Sequence, residues 1–171
     1  FFLTQSLGAF NDNVFRNAML ALMVYQMGLS TEQSTLYANL APALFILPYF
    51  LFSATAGQIA EKYEKARLIR VTTAMEIAIM SLASFGFIYG IPWLLLFCLF
   101  LTGVQSTLFG PVKYAILPQV LAPEELTGGN GLVEMGTSIS ILIGMIAGMS
   151  LLMIPDYGPQ AAAFAMIALA I

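Results

Sequence analysis

Residues 77–112, IAIMSLASFGFIYGIPWLLLFCLFLTGVQSTLFGPV, contain no Asp, Glu, Lys or Arg. A helix needs about 20 mostly apolar residues to cross the hydrocarbon core of a bilayer. This run is too long for one crossing, and it carries its own break. Tyr89-Gly90-Ile91-Pro92 is a turn signal that divides it into two spans. The same reading extends outward in both directions. Residues 33–60 and 135–155 are also free of charge. The pattern predicts six helices, over about 2–28, 35–60, 67–89, 93–117, 130–153 and 159–171, the last cut short. Their connections are brief. Gly28 is a C-cap candidate, with Ser30 or Thr31 as N-caps of the second helix, and Pro155-Asp156-Tyr157-Gly158-Pro159 joins the fifth to the sixth. Pro42 and Pro48 fall inside the second helix, which a membrane bundle tolerates because neighbours satisfy the freed carbonyls.

Composition agrees. Of 171 residues 60% are apolar and 9% charged, and the mean hydropathy is +0.88. Soluble domains run at roughly 45–50% apolar and about 25% charged. These values exclude an ordinary cytosolic enzyme, a disordered tail and a nucleic-acid binder, and leave an all-α, multi-pass membrane protein. The chain has no His and a single Cys, Cys98. Zinc sites, His-dependent nucleophilic pairs and an internal disulfide are therefore not expected. No phosphate-cradling motif occurs: Gly128-Gly129-Asn130-Gly131 is followed by no GK[ST]. The sequence opens on Phe1 and ends within an apolar run at Ile171, so a longer protein is expected around it.

Four of the six basic residues, Lys62, Lys65, Arg67 and Arg70, lie between the second and third helices. The positive-inside rule puts that loop, and with it the N-terminus, in the cytoplasm. Charges within spans are the informative ones, since each costs roughly 2.5–3.5 kcal/mol at a helix centre. The first helix carries Asn11, Asp12, Asn13, Arg16 and Asn17, more than packing requires. Asp12 and Arg16, four apart, are expected to pair along the helix, with Gln5 and Gly8 on the same face. Lys113 and Glu134 should lie at similar depth on adjacent helices and form an ion pair. Glu76 has no evident partner beyond the basic loop or Lys113. Gly136, Ser140, Gly144 and Gly148 repeat at four-residue spacing, which predicts close packing of the fifth helix, within the chain in preference to a homodimer.

Several stretches resemble a known family. Gly57-Gln58-Ile59-Ala60-Glu61-Lys62-Tyr63-Glu64-Lys65-Ala66-Arg67 resembles the signature between helices two and three of the major facilitator superfamily: a glycine, an acid four residues on, then basic residues. Glu61 stands where Asp is usual, and Glu64 where a second glycine is expected. The antiporter signature of that superfamily is not matched by Gly144-Met145-Ile146-Ala147-Gly148-Met149. Gly8-Ala9-Phe10-Asn11-Asp12-Asn13, Pro111-Val112-Lys113-Tyr114-Ala115-Ile116-Leu117 and Asn130-Gly131-Leu132-Val133-Glu134 together resemble the bacterial lysophospholipid transporters. Phe10 to Ala18 is most similar to the branch fused to a phospholipid acyltransferase and acyl-carrier-protein synthetase. Phe2-Leu3-Thr4 recurs as Phe100-Leu101-Thr102, an echo of an inverted repeat.

The resemblance implies the N-terminal six-helix half of such a transporter, a 3+3 inverted repeat, in the bacterial inner membrane. It implies inward flipping of lysophosphatidylethanolamine and related lipids for re-acylation, with no cofactor. The expected partners are the lipid substrate, the bilayer, a C-terminal half and a fused or associated acyltransferase. Gly57, Glu61, Lys62, Lys65 and Arg67 would form the cytoplasmic gate. On physical grounds Arg16 and Lys113 are expected to meet the phosphate, Asp12 and Asn11 the ammonium and glycerol, and Phe15 and Phe109 the acyl chain. Glu134 would hold Lys113. Two other readings stay open: a superfamily member for a drug or sugar, and the membrane domain of an enzyme whose catalytic part lies beyond Ile171. Sugar sites favour Trp, Asn and Gln, and Trp93 is the one tryptophan here.

Overall fold

The computed structural model describes residues 2–171; residue 1, the first of the expected unit, lies outside them. Six α-helices follow one another: α1 (Phe2–Ala21), α2 (Thr31–Lys62), α3 (Lys65–Tyr89), α4 (Pro92–Val120), α5 (Leu126–Leu152) and α6 (Gly158–Ala170). The turn at 89–92 falls where the sequence places it. α3 ends on Gly90 at φ 61°, a left-handed cap that glycine adopts without a Cβ penalty, and Pro92 opens α4.

The bounds differ from expectation at the ends. α2 begins four residues early because Ser30 and Gln33 form a reciprocal capping box. Ser30→Ala should cost about 1 kcal/mol, seen as faster amide exchange over the first turn of α2. α2 and α3 consume most of the expected 61–66 loop and leave only Tyr63 and Glu64 between them. The first helix is not uniform: past Ala21 it widens into a π-turn over Leu22–Gln26, closed by Met27 N–H donating to Leu22 carbonyl. Gln26 ties that turn to the end of α5 by donating to Leu152 carbonyl at 2.7 Å. Pro42 and Pro48 lie inside α2, and Pro111 and Pro118 inside α4.

The most extensive seams are α1 with α5 and α2 with α4. α3 packs on both α4 and α6, and α6 also packs on α1. Exchanging α1 with α4, α2 with α5 and α3 with α6 maps these pairings onto one another, as a 3+3 repeat requires. α5 approaches α1 through glycines. A Cβ on Gly144 would lie 2.6 Å from the carbonyl oxygen of Phe10, and one on Gly148 would lie 2.5 Å from that of Val14. One on Gly136 would meet the ring of Phe2 at 2.7 Å. Ser140, between them, is partly buried. The small-residue stripe therefore serves a contact inside the chain. Gly103 does the same for α4, where a Cβ would lie 2.5 Å from Phe45 carbonyl oxygen.

The densest core gathers Phe15, Met19, Met80, Phe87, Leu95 and Met166 between α1, α3, α4 and α6. Elsewhere large apolar side chains face outward, Phe50 (83% exposed), Ile146 (68%) and Phe164 (77%) among them. In water such surface would aggregate; against acyl tails it costs nothing. Among the described residues four helices are long and apolar enough to cross a membrane: α2, α3, α4 and α5. α1 is absent from that set, and its polar residues have their place on the inner side of the bundle.

Candidate functional site

α1 has three working faces, set by its 3.6-residue turn. Phe10 and Val14 meet the glycines of α5. Asn11 and Phe15, four apart, turn toward α3 and α6. Gln5, Gly8, Asp12 and Arg16, the stripe expected from the sequence, all line a cavity of about 400 Å³. α2 contributes Phe45 and Tyr49, α3 Thr72, Thr73 and Glu76, α4 the face formed by Gln105, Ser106, Phe109, Gly110, Lys113 and Tyr114, and α5 Thr137 and Ile141.

Lys113 and Glu134 form the expected ion pair, Nζ to Oε1 at 3.0 Å. Lys113 also donates to Thr137 Oγ1 at 2.9 Å, and Tyr114 hydroxyl donates to the same Glu134 oxygen at 2.6 Å. Thr137 in turn faces Gln5 Oε1 at 3.0 Å, so α4, α5 and α1 share one polar chain. The Glu134 side chain is 53% exposed against 11% for Lys113. At that exposure the pair adds little stability; it orients the ammonium.

Asp12 and Arg16 do not pair. Among the described residues Lys113–Glu134 is the only ion pair within 4 Å. Arg16 donates instead to Asn13 Oδ1 at 2.7 Å and lies 5.6 Å over the Phe45 ring. Asp12 Oδ2 accepts from Ser106 hydroxyl across the cavity at 3.1 Å. The helical spacing puts both charges on one face, but each finds a partner that is shorter in reach or lies on another helix.

Two expected contacts lie off the cavity. Phe15 is fully buried and meets Phe87 edge-on at 6.2 Å, so it is core and not a wall for an acyl chain. Asn11, also fully buried, donates to Glu76 Oε1 at 3.2 Å and to Met166 carbonyl at 3.1 Å. Phe109 does line the cavity. Of the gate candidates, Gly57, Glu61 and Lys62 end α2, and Lys65 and Arg67 open α3. Glu61, Lys62 and Arg67 are exposed, and Lys62 Nζ lies 5.6 Å over the Tyr63 ring.

Sequence reasoning missed Ser106, Gln105, Thr137 and the role of Glu76. A signal existed for some of them. Ser106, Phe109, Gly110 and Lys113 follow a helical stripe on α4, and Thr72, Thr73 and Glu76 another on α3.

The family model described as Major Facilitator Superfamily matches residues 1–171. The lysophospholipid transporter LplT of Serratia proteamaculans is 32% identical over 144 residues, which is 84% of this chain and 33% of that protein. Its namesakes from Salmonella typhimurium and Cronobacter sakazakii are also 32% identical over 84% of this chain, and 33% and 34% of their own lengths. The chain thus spans about a third of the length of these curated relatives. No solved structure matches it.

Proposed function

Because this chain belongs to the major facilitator superfamily, we propose that it is the N-terminal half of a transporter that moves lysophospholipid, chiefly lysophosphatidylethanolamine, inward across the bacterial inner membrane for re-acylation. Its likeness to the lysophospholipid transporters supports the substrate class. The observation that carries the reading is the sharing of one cavity by Asp12, Arg16 and Lys113.

A lysophospholipid headgroup cannot cross hydrocarbon with its charges unpaired. Arg16 has five N–H donors and gives one to Asn13. Lys113 has three and gives two, to Glu134 and Thr137. The remaining donors meet the phosphate. Asp12 meets the ammonium, and Phe45, Tyr49 and Phe109 flank the start of the acyl chain. The half rocks against a second six-helix half to open the cavity to each side in turn. The Gly57–Arg67 segment, on which Glu61, Lys62 and Arg67 are exposed, is the cytoplasmic latch, and the N-terminus lies on that side.

The test is uptake of labelled lysophosphatidylethanolamine by the full-length protein in spheroplasts, with competition by unlabelled lysolipid and by sugar. Asp12→Asn is expected to reduce uptake at least about tenfold, the loss of one charge-assisted hydrogen bond, at unchanged membrane insertion. Wild-type rates in Asp12→Asn and in a Lys113 variant together, or competition by sugar instead of lysolipid, would overturn the reading.

A further inference from the structure

Glu76 reaches the cavity wall from α3 and faces Gly8 of α1. A Cβ on Gly8 would lie 3.5 Å from Glu76 Oε2 and 3.9 Å from Oε1. Any side chain larger than a methyl at position 8 would lie against this carboxylate, so glycine leaves it open toward α1. Gly8 and Asp12 are four residues apart on the cavity face. Glu76 and Asp12 therefore present their carboxylates to the same cavity, Glu76 beside Gly8 and Asp12 borne one helical turn further along α1.

Glu76 is held from behind by Asn11, whose Nδ2 bonds both Glu76 Oε1 and Met166 carbonyl. Both partners are acceptors, so the amide cannot turn round without setting its oxygen against two others. That contact occupies Oε1. Asp12 is the incompletely served acid: Ser106 donates to Oδ2, while Oδ1 is buried without any partner. A buried carboxylate oxygen without a donor is costly. Among the described residues no basic side chain lies within 4 Å of either acid. The two cations that line this cavity, Arg16 and Lys113, are turned to Asn13 and to Glu134 with Thr137.

The missing donor has a defined shape. A primary ammonium carries three N–H groups and makes bonds of about 2.7–2.9 Å to carboxylates, so one nitrogen bridges oxygens up to roughly 5.5 Å apart. The geometry points to Glu76 as the residue that selects the headgroup: with Asp12 it takes the primary ammonium of an amine-bearing lysophospholipid, while the phosphate lies toward Arg16 and Lys113. This rests on the transport reading above and adds to it Glu76 as the residue that sets the preference for amine-bearing over amine-free headgroups.

The experiment compares uptake of lysophosphatidylethanolamine and lysophosphatidylglycerol of the same acyl chain by the full-length protein in proteoliposomes. Glu76→Gln keeps the acceptor for Asn11 and removes the charge. It should lower the ratio of the two kcat/KM values about tenfold, mainly through the KM of the amine-bearing lipid, and Glu76→Asp should restore part of it. Gly8→Val, which covers Oε2 without touching the charge, should shift the ratio in the same direction and guards against a folding defect in the first variant. An unchanged ratio in both Glu76→Gln and Gly8→Val overturns the assignment, whether the two uptakes fall together or not at all, and transport itself then still stands. If the wild-type protein moves neither lipid, the transport reading falls and this assignment falls with it.

Discussion

Lysophosphatidylethanolamine uptake by the full-length protein should fall to about a hundredth of wild type when Lys113 is replaced by Met. A hydrogen bond to a charged group is worth about 1.5–3 kcal/mol, and the upper end corresponds to a factor of roughly a hundred. The upper end applies because the phosphate would lose a cation inside a cavity that offers only Arg16 in its place. The protein itself should survive the change. Met matches the length of the Lys stem and still packs against Tyr114, whose ring now lies 5.4 Å from Nζ. Glu134 is half-exposed and keeps the Tyr114 hydroxyl at 2.6 Å, so no buried charge is stranded. The Thr137 hydroxyl still has Val133 carbonyl and Gln5 Oε1 within reach as acceptors for its one hydrogen. Equal surface expression with lost uptake is the expected pair of results. Uptake within twofold of wild type would remove Lys113 from the transport path.

Gly148→Val should destroy the folded bundle, and Gly148→Ala should already lower its melting temperature in detergent. The Cβ of Ala would lie 2.5 Å from Val14 carbonyl oxygen, 3.1 Å from Ala18 nitrogen and 3.1 Å from Val14 Cα. All three are backbone atoms, so no rotamer change relieves the clash; α5 must move off α1. Overpacking of this kind costs about 1–3 kcal/mol for added methyl groups, and more where backbone must part. Helix propensity works the other way, favouring Ala over Gly by about 1 kcal/mol. The sign therefore depends on the seam, and Gly131 supplies the contrast. It lies on the same helix with open space around its Cβ position, so Gly131→Ala should be neutral or stabilising. A Gly148→Ala protein as stable as the Gly131→Ala one would show that α5 does not pack on α1 as described. Because α5 carries Thr137 and Glu134, parting this seam would also pull Lys113 away from the wall formed by α1.

Local features of this chain were legible from residue types and spacing. Tyr89-Gly90-Ile91-Pro92 marks a helix break because a left-handed cap and a proline act within a few residues of themselves. Ser30 marks a candidate helix start for the same reason, while its reciprocal partner Gln33, which moves that start to Thr31, emerged only from the structure. The cavity stripe Gln5, Gly8, Asp12, Arg16 follows from the 3.6-residue turn. Lys113 and Glu134 were pairable because short connections force neighbouring helices to run antiparallel, which sets depth. Even the small-residue stripe of α5 announces a close approach, though not to which helix.

The arrangement of partners around each helix axis was not legible. Asn11 differs from Asp12 by one position, a rotation of about 100°, and that step takes it from the cavity to Glu76 and Met166. Phe15 shares its face and becomes core against Phe87. Asp12 takes Ser106 of α4 instead of Arg16 on its own helix, and Glu76 gains Asn11 and Gly8 as neighbours. Hydropathy, capping and periodicity are properties of short stretches, so residue order alone settles that the chain is a bundle of membrane-length helices with charge on chosen faces. Which faces meet depends on how six rods rotate and approach, and that is decided by backbone contacts at Gly144, Gly148 and Gly103 between segments far apart along the chain.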